Sequence, residues 1–336
     1  MYIIYAILAF SLLIIFHELG HFTMAKLNNV KVEEFSLGMG PKLFSIKGKE
    51  TQYMIKAFPI GGYVKMLGDE GASTDPRAFN NKSPLRKLSI VIAGPIMNLV
   101  LGILLFAIIS SFKGYLSPVI DKLVPGQPAQ VVGLMPGDKI IKVNNSKVTT
   151  WEDFVTSIYT SNGNALNITY SRNNEVNTLK VIPVKDAELN RFVVGIYPTQ
   201  ITNPSLVQSA NYGFIETYSL TKQTAGFFKT LFTGKASMND FGGPVTIIKV
   251  SGAAAKAGII TLMSFAAYIS VQLAIFNIIP FPALDGGFIL LYLFEIISGK
   301  KVDDNKVGVI NYFGFAVLMA LMVLVTIKDI LYPINF

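Results

Sequence analysis

The chain contains no cysteine, which excludes disulfides, iron–sulfur clusters and thiolate metal sites together. Charge is also scarce: Asp, Glu, Lys and Arg make up 15% of the 336 residues, against about a quarter in a typical soluble domain. Histidine is scarcer still, with two in the whole sequence. Low charge combined with 51% hydrophobic residues points to a membrane protein with a modest water-soluble part. The net charge of +8 does not indicate nucleic acid. The basic residues are scattered and flank apolar segments, as expected when they orient a chain in lipid.

Four stretches are uncharged or nearly so: Met1 to Phe16, Leu88 to Phe112, Ala257 to Leu284 and Val307 to Ile327. The last three reach the roughly 20 residues that a helix needs to cross hydrocarbon. The first runs into a charged group early. It has no basic start and no small-residue cleavage site, so a removable signal peptide is not expected. Near the span ends, Lys26, Lys31, Arg77, Lys82, Arg86, Lys87, Lys300, Lys301 and Lys306 lie on one side, and Lys113, Lys122, Lys249, Lys256 and Lys328 on the other. This bias predicts a multi-pass membrane protein with the 23–87 and 300–306 loops in the cytoplasm and both termini outside.

The expected fold is therefore a polytopic α-helical membrane protein of about four transmembrane helices. Helix 1 covers 1–25, helix 2 covers 88–112, helix 3 covers 257–299 and helix 4 covers 307–330. Residues 26–87 read as a cytoplasmic or membrane re-entrant β region. Within it, 35–67 alternate polar and apolar groups and are punctuated by glycine, as short strands and hairpins are. Residues 113–186 read as an inserted extracytoplasmic α+β domain: strand, Gly-Pro turn, strand, Asn-Asn turn, short strand, helix from about Thr150, then two strands. Thr150 before Trp151-Glu152-Asp153 is a helix N-cap with acids in the first turn. The GLMPGDKI stretch resembles a PDZ domain of bacterial proteases. Residues 187–256 read as an extracytoplasmic linker with amphipathic helices on the membrane surface.

Both histidines fall in one pentapeptide, His17-Glu18-Leu19-Gly20-His21. On a helix, positions i and i+4 share a face, so the two imidazoles can reach one metal ion. Glu18 sits about 100° round from His17 and can approach an attacking water without displacing a ligand. H-E-x-x-H is short enough to arise by chance. Here, however, it continues an apolar helix, where ionisable groups are expensive and usually functional. A rise of ~1.5 Å per residue from Tyr2 puts His17 roughly 22 Å along, inside a core ~30 Å thick. Zinc is the expected cofactor; such a site commonly has three protein ligands. With no cysteine and no further histidine, the third must be a carboxylate. Asp285 closes the long uncharged third stretch, at a depth similar to the histidines. Glu295 is the alternative, and Asp303, Asp304 and Asp329 lie at the span edges.

H-E-L-G-H in a first span, followed by Asn277-Ile278-Ile279-Pro280-Phe281-Pro282-Ala283-Leu284-Asp285-Gly286-Gly287 in a later one, resembles the site-2 protease family of intramembrane zinc metalloproteases, in its RseP-like branch. Gly61-Gly62-Tyr63-Val64-Lys65-Met66, Ala93-Gly94-Pro95-Ile96-Met97-Asn98 and Gly242-Gly243-Pro244-Val245 extend the likeness over nearly the whole chain. The resemblance implies His17, His21 and Asp285 as zinc ligands and Glu18 as the catalytic glutamate. It also implies substrate contacts from Asn277, Gly61, Gly62, Tyr63, Val64, Pro280 and Pro282, with the 53–66 segment as a re-entrant β element. The substrates implied are transmembrane proteins, such as anti-sigma factors or signal peptide remnants. A single PDZ-like domain departs from the larger RseP proteins, which have two. The competing reading is a non-catalytic membrane-anchored PDZ scaffold or chaperone with a structural zinc, a site that four protein ligands would normally close.

Overall fold

A computed structural model describes residues 2–69, 71, 73–187, 190–233 and 242–333. The elements run α1 (Tyr2–Leu27), β1 (Val32–Lys47), β2 (Gln52–Met66), α2 (Pro84–Lys113), β3 (Tyr115–Leu123), α3 (Pro128–Val131), β4 (Lys139–Val143), β5 (Ser146–Lys147), α4 (Trp151–Thr160), β6 (Leu166–Arg172), β7 (Glu175–Val181), β8 (Val184–Asp186), β9 (Arg191–Val193), β10 (Ile196–Ile201), α5 (Leu206–Phe232), α6 (Pro244–Lys256), α7 (Ile259–Ile278), α8 (Asp285–Ser298) and α9 (Asp304–Leu331). They form two compact units, Met1–Leu105 with Gly226–Phe336, and Phe106–Ala225.

The first unit is built on helices. Among the described residues, four stretches are long and apolar enough to cross a membrane: Ile7–Leu27, Pro84–Lys113, Ile259–Ile278 and Asn305–Leu331. On α9 the side chains of Phe313, Phe315, Val317, Leu321 and Leu324 are exposed. So large an apolar face suits a lipid surrounding and not water. Helix α1 packs on α6 and α7, and α6 also meets α9. Gly243 precedes α6 with no side chain to cap it. Asp329 of α9, fully buried, accepts from the N–H of Thr246 instead and so serves as a cap from a distant element.

The segment 257–299, expected as one span, is two helices. Pro280 and Pro282 supply no N–H, and a residue before proline is pushed towards extended backbone. Ile279 is extended accordingly (φ −58°, ψ 133°) and ends α7. A turn with Ala283 at φ +70° then leads into α8. Asp285 therefore opens a helix.

Strands β1 and β2 pair more than once along their length. Phe35 has Val64 on one side and Tyr53 on the other, and Leu37 lies between Gly62 and Ile55. Residues 34–37 are thus interior to the sheet, whereas 62–66 have a partner on one side among the described residues and form an edge. The base of this sheet is anchored in a core with Val32, Val64 and Met66 beside Ala25, Ile90, Ile289 and Tyr292.

The second unit is a sheet in the order β10-β3-β4-β6-β7, with β5 on β4, over a core of Ile120, Ile140, Phe154, Ile168 and Val181. Thr150 caps α4 and, with Asp153, forms a reciprocal capping box. The sheet closes with β10, which pairs with β3 (Ile201 opposite Tyr115). Its last strand therefore comes from the segment expected as a linker after residue 186. The pairing joins distant parts of the sequence, and local pattern does not reveal it.

Acids are buried between α4 and α5. Glu216 is 5% exposed, and one of its carboxylate oxygens has no hydrogen-bond partner, as is true of Glu152. Burial, reinforced by the charges of Glu152 and Asp153, pushes the Glu216 carboxyl up to about 8 from its ordinary 4.5. The folded state thus keeps a proton that the unfolded chain releases near its ordinary value. Stability from this source is fully present at low pH and is lost as pH rises towards about 8. Amide protection in α4 and the first half of α5, corrected for intrinsic exchange, should fall roughly tenfold or more between pH 5 and pH 9, one pKa unit being tenfold. Glu216→Gln should abolish most of that fall. Equal pH dependence in the variant would show that another group is responsible.

Candidate active site

His17, Glu18 and His21 lie in the second half of α1. The two imidazoles meet edge to face with centroids 4.8 Å apart, and their Nε2 atoms are 3.2 Å apart. Helix α8 brings Asp285 to the same point. Its Oδ2 lies 3.1 Å from Nε2 of His17 and 3.7 Å from Nε2 of His21. All three side chains are largely enclosed. As the first residue of α8, Asp285 places its carboxylate at a helix N-terminus, where negative charge is favoured. Gly286 makes that turn possible, because a Cβ there would lie 1.9 Å from the carbonyl oxygen of Ile279.

These three residues are a group among the described residues that could hold a metal ion, with potential ligand atoms all within 4.8 Å of one another. Ligand atoms ~2.0–2.1 Å from a tetrahedral zinc are separated by roughly 3.3–3.4 Å, and the three observed separations bracket that value. The Asp285 oxygen that faces both rings is buried and has no hydrogen-bond donor. A carboxylate oxygen in that condition fits a cation. Glu295 does something different: its carboxylate accepts from the N–H of Val302, and it is not in the group that converges on the two histidines.

The space for the two rings comes from α2. A Cβ at Gly94 would lie 2.4 Å from His21 Nε2 and 2.8 Å from His17 Cε1. The same helices touch at Gly20, whose Cβ would meet the Ala93 carbonyl oxygen at 2.2 Å. Small residues let the backbones of α1 and α2 approach this closely. The carbonyl of Ile90 lies 2.9 Å from Nδ1 of His21, and the side-chain amide of Asn98 lies 3.3 Å from Nδ1 of His17. Sequence reasoning noted the 93–98 run without assigning it a part in the site. The signal was available, since Gly94 and Asn98 are four apart and so share a helix face.

Glu18 is half-buried, within electrostatic reach of His21 and Asp285, and its side chain lies against Gly62. The edge segment 62–66 thus passes beside the acid expected to act as base. Of the other residues expected to contact substrate, Gly61 and Gly62 belong to β2 near this edge. Tyr63 is engaged by Glu34 and Lys56 through its hydroxyl, and Val64 is buried in the core. Asn277 is half-buried at the end of α7, Pro280 is exposed, and Pro282 packs on Gly314 of α9.

The chain matches the profile of peptidase family M50 over residues 5–321. A Clostridium acetobutylicum protein provisionally named a zinc metalloprotease is 54% identical over 334 residues, covering 99% of this chain and 98% of the relative. The zinc metalloprotease RasP of Geobacillus kaustophilus is 30% identical over 411 aligned positions, covering 98% of this chain and 97% of the relative. The regulator of sigma-W protease RasP of Bacillus subtilis is 26% identical, covering 96% and 97%. A match that begins before His17 and ends after Asp285, with relatives aligned over nearly their whole length, means that this chain belongs to peptidase family M50.

Proposed function

We propose that this protein is a zinc-dependent endopeptidase that hydrolyses peptide bonds in membrane-embedded segments of other proteins. The observation that carries this reading is the convergence of His17, His21 and Asp285 on helices apolar enough to lie in a bilayer. When bound there, zinc polarises the scissile carbonyl and acidifies water. Glu18 takes the proton from the attacking water and returns it to the leaving nitrogen. The two imidazoles and the Asp285 carboxylate are the ligands. Because they leave Glu18 free and do not make the four protein ligands of a closed structural site, a purely structural zinc accounts poorly for the arrangement.

A substrate helix hides its peptide bonds and must unwind before attack. The edge at 62–66 can receive the unwound segment as an added strand, and Gly61, Gly62, Tyr63 and Val64 define its course past Glu18. Asn277 hydrogen-bonds the substrate backbone, and Pro280 and Pro282 hold open the turn before Asp285. The name of the Bacillus subtilis relative supports anti-sigma-factor-like membrane proteins as substrates, with signal peptide remnants as a second class. The bacterial relatives support a bacterial cytoplasmic membrane, and the lysine and arginine bias supports both termini outside and an active site towards the cytoplasm. The sheet and helices of the second unit, with the GLMPGDKI stretch, support a PDZ-like domain on the outer side.

Purified protein reconstituted with tagged single-span proteins should cleave them within the span, and helix-breaking residues in the span should speed cleavage. Proline placed one residue at a time over 62–65 should slow it at alternate positions, where an outward N–H is lost, with zinc content unchanged. Cleavage indifferent to both manipulations would rule out strand addition.

A further inference from the structure

We propose that Asn98 is a positioning residue that fixes His17 in the tautomer able to present Nε2 to the metal. The inference rests on the reading of His17, His21 and Asp285 as ligands.

An imidazole ligates through a nitrogen that carries no proton, so a neutral ring bound through Nε2 must carry its proton on Nδ1. That proton needs an acceptor, and in an enclosed site the acceptor determines which nitrogen faces the metal. The two histidines are served differently. For His21 the acceptor is the backbone carbonyl of Ile90, which can only accept and so leaves one tautomer. For His17 the group opposite Nδ1 is the Asn98 amide, placed with its Nδ2 at 3.3 Å, and an amide can present either end. With its NH2 towards the ring it donates to Nδ1 and leaves the proton on Nε2, facing Asp285. With its oxygen towards the ring it accepts from Nδ1–H and frees the Nε2 lone pair. Ligation therefore requires the second orientation.

The surroundings favour a dedicated role. Asn98 is 1% exposed, and its backbone carbonyl accepts from Ser270 of α7, which holds it at the crossing of the two helices. Its side-chain oxygen has no partner when the NH2 faces the ring, and the Nδ1 proton of His17 is the donor that would satisfy it. A neutral amide also accepts this proton without adding a further negative charge beside Glu18 and Asp285.

Two variants of the full-length protein in detergent separate this role from packing. Asn98→Leu keeps nearly the same shape but has no acceptor; Asn98→Asp can only accept. Zinc alone is titrated against a chromophoric chelator. Loss of an outer-shell partner typically weakens metal binding roughly 10–100-fold. That loss is expected for Asn98→Leu, whereas Asn98→Asp should stay within a few-fold of the unmodified protein or bind more tightly. With only two histidines in the chain, ¹⁵N-histidine labelling reads both rings directly. The His17 Nδ1 proton should resist solvent exchange in the unmodified protein and in Asn98→Asp, and exchange freely in Asn98→Leu. Equal zinc affinity for Asn98→Leu and the unmodified protein, or equal weakening in both variants, would overturn the role of Asn98. An Asp285→Ala protein that keeps full zinc affinity would instead overturn the ligand assignment on which the role depends.

Discussion

Glu18→Gln is expected to reduce cleavage by about 10²–10⁴-fold, the usual contribution of a positioned acid–base group, while zinc content stays stoichiometric. The two measurements belong together, because they separate a base from a ligand. Glu18 sits one residue from His17 but points elsewhere on the helix, towards the edge segment at Gly62. The other three residues form the group that could hold the metal. Glutamine preserves the volume of the side chain and removes its basicity, so α1 should pack against β2 as before. A variant that turns over at a rate near that of the unmodified protein would show that the proton leaves by another route. A variant that loses zinc would show that Glu18 is itself a ligand.

Asp285→Ala is expected to remove both zinc and activity. Its Oδ2 is the oxygen facing both imidazoles, and without it two ring nitrogens remain to hold the cation. The change should cost affinity more than fold, since alanine is tolerated at the start of a helix and the turn before it is set by Pro280, Pro282 and the contact of Gly286 with Ile279. Glu295→Ala is the control. It loses the hydrogen bond to Val302 and should loosen the end of α8 while zinc is retained. If Glu295→Ala strips the metal and Asp285→Ala does not, the carboxylate has been wrongly assigned.

Much of this site is legible in the sequence because its parts are local or unique. Two histidines in the entire chain, four residues apart, determine one face of one helix. The lack of cysteine and of further histidine leaves a carboxylate as the expected third ligand, and the apolar stretches set the number of helices able to cross a membrane. These inferences need only composition, the helical period and the cost of burying charge in hydrocarbon. None of them depends on knowing which helices touch.

The remainder depends on neighbours distant in the chain. The 257–299 segment reads as continuous by hydropathy, yet the prolines divide it and make Asp285 the first residue of a new helix. Strand β10 looks like linker until it meets β3. Gly94 and Asn98 are a glycine and an asparagine with no evident role in an apolar run until α2 lies against α1, when one leaves room for two imidazoles and the other faces the far nitrogen of His17. The expected ligand types, the expected base and the membrane setting could be read in the sequence, because each follows from residue chemistry and local period. Which carboxylate reaches the histidines and which groups face their far nitrogens emerged with the folded chain, because hydrogen bonds and close packing are made between surfaces that come together only on folding.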